Sequence, residues 1–178
     1  MGTGSGLLER ARKLGVFGTK MRSVINLPNQ EGIAANVAQQ FEIGKQISAH
    51  GLMPILEPEV SIKSPDKKGA EAILLQELQK GLDTLPAGGQ VMLKLTIPDV
   101  TDLYLPLIED KRVARVVALS GGYSREDACR RLASNHGMIA SFSRALAEGL
   151  NHSMSDAEFN EALGRSIDEI YRASTTKH

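Results

Sequence analysis

Five short apolar segments, each followed by a helix-forming stretch, constrain this fold more than any other feature of the sequence. The apolar segments are residues 16–25, 52–60, 91–97, 113–119 and 138–142. Strands that are separated by helices cannot pair as tight hairpins, so the repeat predicts an α/β fold with a parallel sheet. The connections between the strands should be right-handed crossovers.

Helix starts and one buried stripe are also readable. Ser64 and Pro65 suit the N-cap and first turn of one helix, and residues 124–127 resemble a capping box for another that ends near Gly137. Ser155, with a glutamate three residues on, predicts the start of the last helix. The residues expected to be buried on that last helix are Phe159, Leu163, Ile167 and Ile170.

Charge and cysteine content exclude several classes of protein. Among 178 residues, 21 basic and 21 acidic side chains give zero net charge, so neither a nucleic-acid nor a membrane partner is expected. A single cysteine, Cys129, fits a reducing cytoplasm. We expect residues 1–6 to be a flexible leader and residues 7–178 to be one α/β domain. The nucleotide-binding patterns GxGxxG and GxxxxGK[ST] are absent from the expected positions.

Charged side chains occur in three strands that should otherwise be buried. Alternate strand residues share a face, so Lys94 lies on one face of its strand, and Glu57 and Glu59 share a face of theirs. Lys20 and Arg22 share a face of the first strand. Lys94 alone could equally be a strand-end lysine that reaches solvent. Three consecutive strands with charge near the same end favour a site at the C-terminal edge of a barrel-like sheet.

This group of side chains suits covalent catalysis by an amine. A lysine attacks a carbonyl only as the neutral amine, and its unperturbed pKa of about 10.4 leaves it protonated at neutral pH. Burial and neighbouring cations such as Lys20 and Arg22 should lower the pKa of Lys94. Either Glu57 or Glu59 could then move protons during the reaction.

A second group predicts a phosphate site. Ser120, Gly121 and Gly122 follow a strand and precede a helix, where backbone N–H groups can approach an anion. Ser143 and Arg144 close the next strand with a second helix start and a guanidinium. Neither feature is specific alone, but together they indicate phosphate binding, as recurs in barrels of this class.

The segments GTKMRS, EPEV, VMLKLTIP, LSGGYSRE and ASFSRALAEGL occur in this order and resemble the class I, Schiff-base fructose-bisphosphate aldolases of bacteria. The resemblance runs from about residue 8 to residue 173. It implies a TIM (β/α)8 barrel, of which this chain carries about the fourth to the eighth strands. It also implies reversible cleavage of fructose 1,6-bisphosphate into dihydroxyacetone phosphate and glyceraldehyde 3-phosphate in glycolysis, without a metal or other cofactor.

The resemblance also implies residue roles. Lys94 matches the Schiff-base lysine, Glu57 the general acid/base and Glu59 a second carboxylate that pairs with active-site lysines. Lys20 matches a lysine near the reacting hydroxyls, and Arg22 an arginine near the distal phosphate. The remaining phosphate would be held by Ser120, Gly121 and Arg144, with backbone N–H groups from Gly122, Phe142 and Ser143.

Two family positions have no counterpart in this sequence: an aspartate on the first strand of the barrel and a lysine on the third. We do not assign Tyr171 the role of the C-terminal tyrosine of vertebrate relatives. Five strands would leave two open edges, so we expect a homo-oligomer or completion by N-terminal barrel units. Two alternatives remain open. One is another Schiff-base sugar-phosphate aldolase or a transaldolase, and the other is an inactive fragment that retains only phosphate binding or assembly.

Overall fold

The computed structural model describes residues 3–178, with side chains from residue 5 onward. Helices and strands alternate along the chain, as the sequence predicts. In chain order the elements are α1 (Thr3–Lys13), β1 (Gly18–Ile25), α2 (Gln30–Ala49), β2 (Met53–Val60), α3 (Lys67–Leu82), β3 (Val91–Thr96), α4 (Leu105–Ile108), β4 (Val113–Leu119), α5 (Arg125–Ala133), β5 (Ile139–Ala140), α6 (Arg144–Ala147) and α7 (Asp156–Thr175).

The five strands form one parallel sheet in the order β1-β2-β3-β4-β5. This confirms the predicted α/β class and is consistent with part of a TIM-type barrel. Strand β1 pairs with β2 over eight residues and β3 with β4 over six. Strands β2 and β3 pair only at Ile55–Met92 and Leu56–Leu93. The strands therefore lie side by side in chain order, but the hydrogen-bond ladder between β2 and β3 is short.

The core lies between the outer face of the sheet and the helices. Leu56, Leu93 and Leu95 point to that side and are fully buried, as are Leu74 and Leu78 from the apolar stripe of α3. The other, inner face carries the charged residues. Alternation along each strand thus separates the packed side of the sheet from the side that is free for chemistry.

The helix starts agree with the sequence in two cases of three. Ser155 forms a complete capping box with Glu158, and Ser124 accepts a hydrogen bond from the backbone N–H of Asp127. The prediction of Ser64 as an N-cap is wrong. Ser64 belongs to the preceding turn, in which its N–H donates to the Ser61 carbonyl, and Asp66 caps α3 instead.

The expected end of α5 near Gly137 is also wrong, because the helix ends at Ala133. The Asn135 side chain donates to the Arg131 carbonyl and accepts from the N–H of Asp102. These bonds fasten the chain beyond α5 to the loop before α4, so that the helix cannot continue.

The predicted buried stripe of α7 is wrong for two of its four residues. Phe159 is 39% exposed and Ile167 is 49% exposed, whereas Leu163 and Ile170 are partly buried. For Ile167 the reason lies in β5, a two-residue strand at the edge of the sheet that has no further strand beside it within residues 3–178. A groove of about 450 Å³ lies there, lined chiefly by Ile139, Phe142, Leu146, Ile167, Ile170 and Tyr171.

The predicted leader, residues 1–6, overlaps the start of α1 at Thr3, and residues 1 and 2 lie outside the described part of the chain. Among residues 3–178 there is no helix with the length and apolar character that crossing a membrane requires.

Candidate functional site

The charged residues of β1, β2 and β3 meet on the inner face of the sheet. Lys20 Nζ lies 2.7 Å from Glu57 Oε2, and Arg22 Nε donates to Glu59 Oε2 at 2.7 Å. Lys94 Nζ lies 3.6 Å from the other oxygen of Glu57, Oε1. Glu57 therefore stands between two ammonium groups that come from the strands on either side of it.

Position in the sheet explains which of these groups are buried. The Glu57 and Glu59 side chains are only 5% and 11% exposed, because β2 has a neighbouring strand on both sides. Lys20 and Arg22 lie on the edge strand and are 42% and 51% exposed. The hydrogen bond with Glu59, and its negative charge, raise the pKa of Arg22. The carboxylates are thus fixed, while the cations border open space.

A cavity of about 330 Å³ joins the lysine end of this cluster to the predicted phosphate site. Its lining includes eight of the eleven predicted site residues. The full lining is Arg22, Glu57, Glu59, Lys94, Leu119, Ser120, Gly121, Ser141, Ser143 and Arg144. Carboxylate, amine, hydroxyl and guanidinium groups therefore face one another across a single space.

The turn after β4 has the backbone geometry that an anion site uses. Gly121 has φ +62° and Gly122 has φ +107°, both in the region that favours glycine. A Cβ on Gly121 would also lie 2.8 Å from a methyl carbon of Ile62. The N–H of Tyr123 donates to the Ser120 carbonyl and closes the turn. Glycine at 121 therefore suits the turn that places Ser120 at this edge of the cavity.

Arg144 would contribute to anion binding mainly through its guanidinium group. It begins α6, which has only four residues, so the helix itself adds little positive potential. Ser143 and Arg144 lie across the cavity from Ser120 and Gly121. Two backbone segments that follow neighbouring strands therefore enclose the same end of the space.

Three predicted residues lie away from the cavity wall. Lys20 reaches it through its ion pair with Glu57, and a Cβ on Gly122 would point toward Ile62. Phe142 lines the groove beside α7. Leu119 and Ser141 line the cavity but were not predicted. For Ser141 a signal existed, because it directly follows the last strand, where side chains reach the same edge of the sheet.

No family model matches the chain. It is similar to "Fructose-bisphosphate aldolase class 1" of Synechocystis sp. (strain ATCC 27184 / PCC 6803 / Kazusa), with 57% identity over 170 residues, 96% of this chain and 57% of the relative. It is also similar to the protein of the same name from Porphyromonas gingivalis, with 56% identity over 168 residues, 94% of this chain and 57% of the relative. The chain thus spans less than three fifths of either curated relative.

Proposed function

The chain belongs to the class 1 fructose-bisphosphate aldolase family, and we propose that it supplies the Schiff-base lysine, Lys94, for reversible cleavage of fructose 1,6-bisphosphate. The observation that carries this proposal is the position of Lys94 Nζ, 3.6 Å from a buried carboxylate and facing a polar cavity. Because the chain spans 57% of the length of its relatives, we assign this activity to the protein in which the remaining barrel strands are also present.

In the proposed reaction the neutral Lys94 amine adds to the ketone carbon of the sugar phosphate. Glu57, placed between Lys20 and Lys94, takes the proton that the Lys94 ammonium gives up to become neutral and returns it to the carbinolamine hydroxyl, which leaves as water. The resulting protonated imine withdraws electrons from the adjacent carbon, so that the carbon–carbon bond breaks when the Glu57 carboxylate accepts the proton of the hydroxyl on the departing carbon. Glu59, held by Arg22, keeps a second negative charge near the cations.

The distribution of cations supports a substrate with two phosphates. Ser120, Gly121 and Arg144 stand at one end of the cavity and Arg22 borders it from β1. An arginine offers a fork of donors that suits a phosphate. A transaldolase or a monophosphate-specific aldolase needs only one such grip. We therefore place the dihydroxyacetone phosphate half near Arg144 and the distal phosphate near Arg22.

The reaction we propose is glycolytic and cytoplasmic. The lone cysteine, Cys129, is a buried thiol whose pKa is raised to about 11 by burial, which suits a packed thiol and not a nucleophile. The open edges at β1 and β5 suit completion by N-terminal barrel units or by association of copies.

Borohydride trapping tests the proposal directly. The chain, with its barrel completed by the N-terminal units, is incubated with dihydroxyacetone phosphate and reduced, and the adduct is mapped by mass spectrometry. We expect an adduct on Lys94 that disappears in Lys94→Met and persists in Lys63→Met, a matched change at an exposed lysine. An adduct spread over surface lysines would refute the assignment.

The fragment alternative predicts a different pair of results. Phosphate would raise the melting temperature through Ser120 and Arg144, because a ligand that binds only the folded state stabilises it. No adduct would form at Lys94 in the same folded sample. Comparing fructose 1,6-bisphosphate with fructose 6-phosphate in the trapping assay separates the bisphosphate aldolase from a transaldolase.

A further inference from the structure

The hydrogen-bond ladder between β2 and β3 stops where the functional residues begin. Its last pair is Leu56–Leu93, and the next residues along the two strands are Glu57 and Lys94. The ladders on either side, β1–β2 and β3–β4, continue past this level. The interruption is therefore local to the two strands that carry the proposed nucleophile and its acid/base.

The direction of the β2 hydrogen bonds can be read from its two ends. The N–H of Met53 donates to the Phe17 carbonyl and that of Ser61 to the Ile25 carbonyl. Alternate residues of a strand between two parallel neighbours bond to alternate sides. Odd-numbered residues of β2 therefore bond to β1, and even-numbered residues face β3.

The even-numbered positions of β2 explain the two-pair ladder. They are Pro54, Leu56, Pro58 and Val60. Proline has no N–H to donate, and inside a sheet it removes a ladder bond. The backbone N–H of Leu56 can thus donate to β3, but the even-numbered positions before and after it, Pro54 and Pro58, cannot. At position 58 the missing bond is the one that the register aims at the Lys94 carbonyl.

Beyond this gap a side chain takes over from the backbone. Continuing the register, the Val60 carbonyl would face the N–H of residue 98, but residue 98 is a proline. Instead the Thr96 hydroxyl, 1% exposed, donates to the Val60 carbonyl at 2.7 Å. The two strands are joined before the gap by the ladder and after it by Thr96.

We propose that Pro58 and Thr96 are positioning residues for Lys94, a role that rests on the proposed function. Pro58 keeps β2 and β3 from closing into a full ladder at the level of Glu57 and Lys94. Thr96 fixes the far end of the opening. Together they set the 3.6 Å separation between Lys94 Nζ and the Glu57 carboxylate. An N–H at position 58 would bind the Lys94 carbonyl and turn the lysine out of this geometry.

The strand carries its own matched control. Pro54 and Pro58 are both buried and both face β3, but Pro54 lies at the end of the ladder away from the cavity. Pro58→Ala and Pro54→Ala delete the same ring, restore the same N–H and change the unfolded chain alike. Any difference in trapping rate or stability between the two variants therefore comes from the position of the proline in the strand and not from the loss of the ring itself.

The experiment measures the rate of adduct formation at Lys94 with dihydroxyacetone phosphate. The amine adds to the carbonyl carbon, water leaves, and borohydride supplies hydride that reduces the imine to a secondary amine. We expect Pro58→Ala to be slower by about tenfold or more, as misplacement of a reacting group by about 1 Å would cause. Its melting temperature should be no lower than that of Pro54→Ala, whose trapping rate should match the parent chain.

Thr96 is tested by a conservative pair. Thr96→Val keeps the shape and removes the hydroxyl, and Thr96→Ser keeps the hydroxyl. We expect slow trapping in Thr96→Val, with recovery in Thr96→Ser. If both variants trap in proportion to their folded fraction, Thr96 is merely structural and the inference about it is wrong.

A second readout does not depend on catalysis. In Pro58→Ala the new N–H of residue 58 should be protected from hydrogen exchange, because it pairs with β3. An unprotected amide, or equal trapping rates for the two alanine variants, would overturn the inference while leaving the proposed function intact. A parent chain that forms no adduct even with its barrel completed by the N-terminal units would instead refute the proposed function, and amide exchange would still decide whether Pro58 holds the ladder open.

Discussion

Two clusters of lysine and carboxylate groups lie on opposite sides of the same sheet and differ in how completely their charges are paired. The outer cluster is Lys67, Glu71 and Asp99. Lys67 Nζ lies 2.5 Å from Glu71 Oε1 and 3.1 Å from Asp99 Oδ1, and it donates to the Ile97 carbonyl at 2.8 Å. Glu71 is wholly buried and also accepts from the N–H of Asp99. Every donor of this ammonium has a partner.

The inner cluster is Lys20, Arg22, Glu57, Glu59 and Lys94. Its cations keep hydrogen-bond donors available for a ligand. Lys94 has one carboxylate partner at 3.6 Å, and Lys20 and Arg22 border solvent. Identical residue types therefore serve two purposes. In the outer cluster every donor of the buried Lys67 ammonium has a partner, and the ion pairs join α3 to the end of β3. In the inner cluster donors remain available beside a cavity, where they can bind a ligand.

The largest expected effect is on the outer cluster. Lys67→Met leaves the Glu71 carboxylate buried without its cation, and removing one partner of a buried ion pair costs about 3–5 kcal/mol. We expect the free energy of unfolding in urea to fall by this amount. The double variant Lys67→Met/Glu71→Gln should recover most of the loss, because no uncompensated charge remains. A loss below about 1 kcal/mol in the single variant would place the outer cluster with ordinary surface pairs.

A smaller effect should appear in the pH dependence of stability. Burial raises the pKa of Glu71 above its usual 4.5, against the opposing effects of its hydrogen bonds from Asp99 and Lys67. The folded state therefore holds this proton to higher pH than the unfolded chain does. The stability that Glu71 contributes is full below pH 4.5 and is lost as pH rises through the folded-state pKa.

Glu71→Gln isolates this effect because glutamine does not titrate. The difference in unfolding free energy between the parent chain and Glu71→Gln should fall as pH rises from 4.5 toward neutrality. Urea unfolding at a series of pH values measures it. A difference that stays constant, or that grows with pH, would show that the Lys67 charge outweighs desolvation at this site.

The two clusters also differ in how far the sequence predicts them. The inner cluster is predictable because strand alternation is rigid, so that Glu57, Glu59 and Lys94 must share the inner face once the strands are known. The outer cluster is not. Lys67 and Glu71 are four residues apart on a helix, a spacing typical of exposed pairs. The pairing of Lys67 with Asp99, from the loop after β3, is a contact that this local spacing cannot report.

The fold shows the same division. Strand positions follow from local apolar runs, and β4 is predicted to the residue. The stripe of α7 fails at Ile167 because burial there depends on what lies beside β5, which local periodicity cannot report. Similarly, Pro58 is plain in the sequence, but its effect on one ladder requires knowing that residue 58 faces β3 and not β1.

The smallest expected effect separates the clusters by their response to salt. Arg22 is half-exposed, so its pair with Glu59 should stabilise the fold by no more than about 1 kcal/mol, and Arg22→Met should cost about that amount at low ionic strength.

Raising salt from about 0.01 M to 1 M shortens the screening length from about 30 Å to 3 Å, which weakens exposed pairs first. The cost of Arg22→Met should therefore shrink by a few tenths of a kcal/mol. The cost of Lys67→Met should change less, because the Lys67 and Glu71 side chains are only 5% and 0% exposed. Equal salt sensitivity in the two variants would mean that the outer cluster is as open to solvent as the inner one, and the contrast in burial would not be what separates scaffold from site.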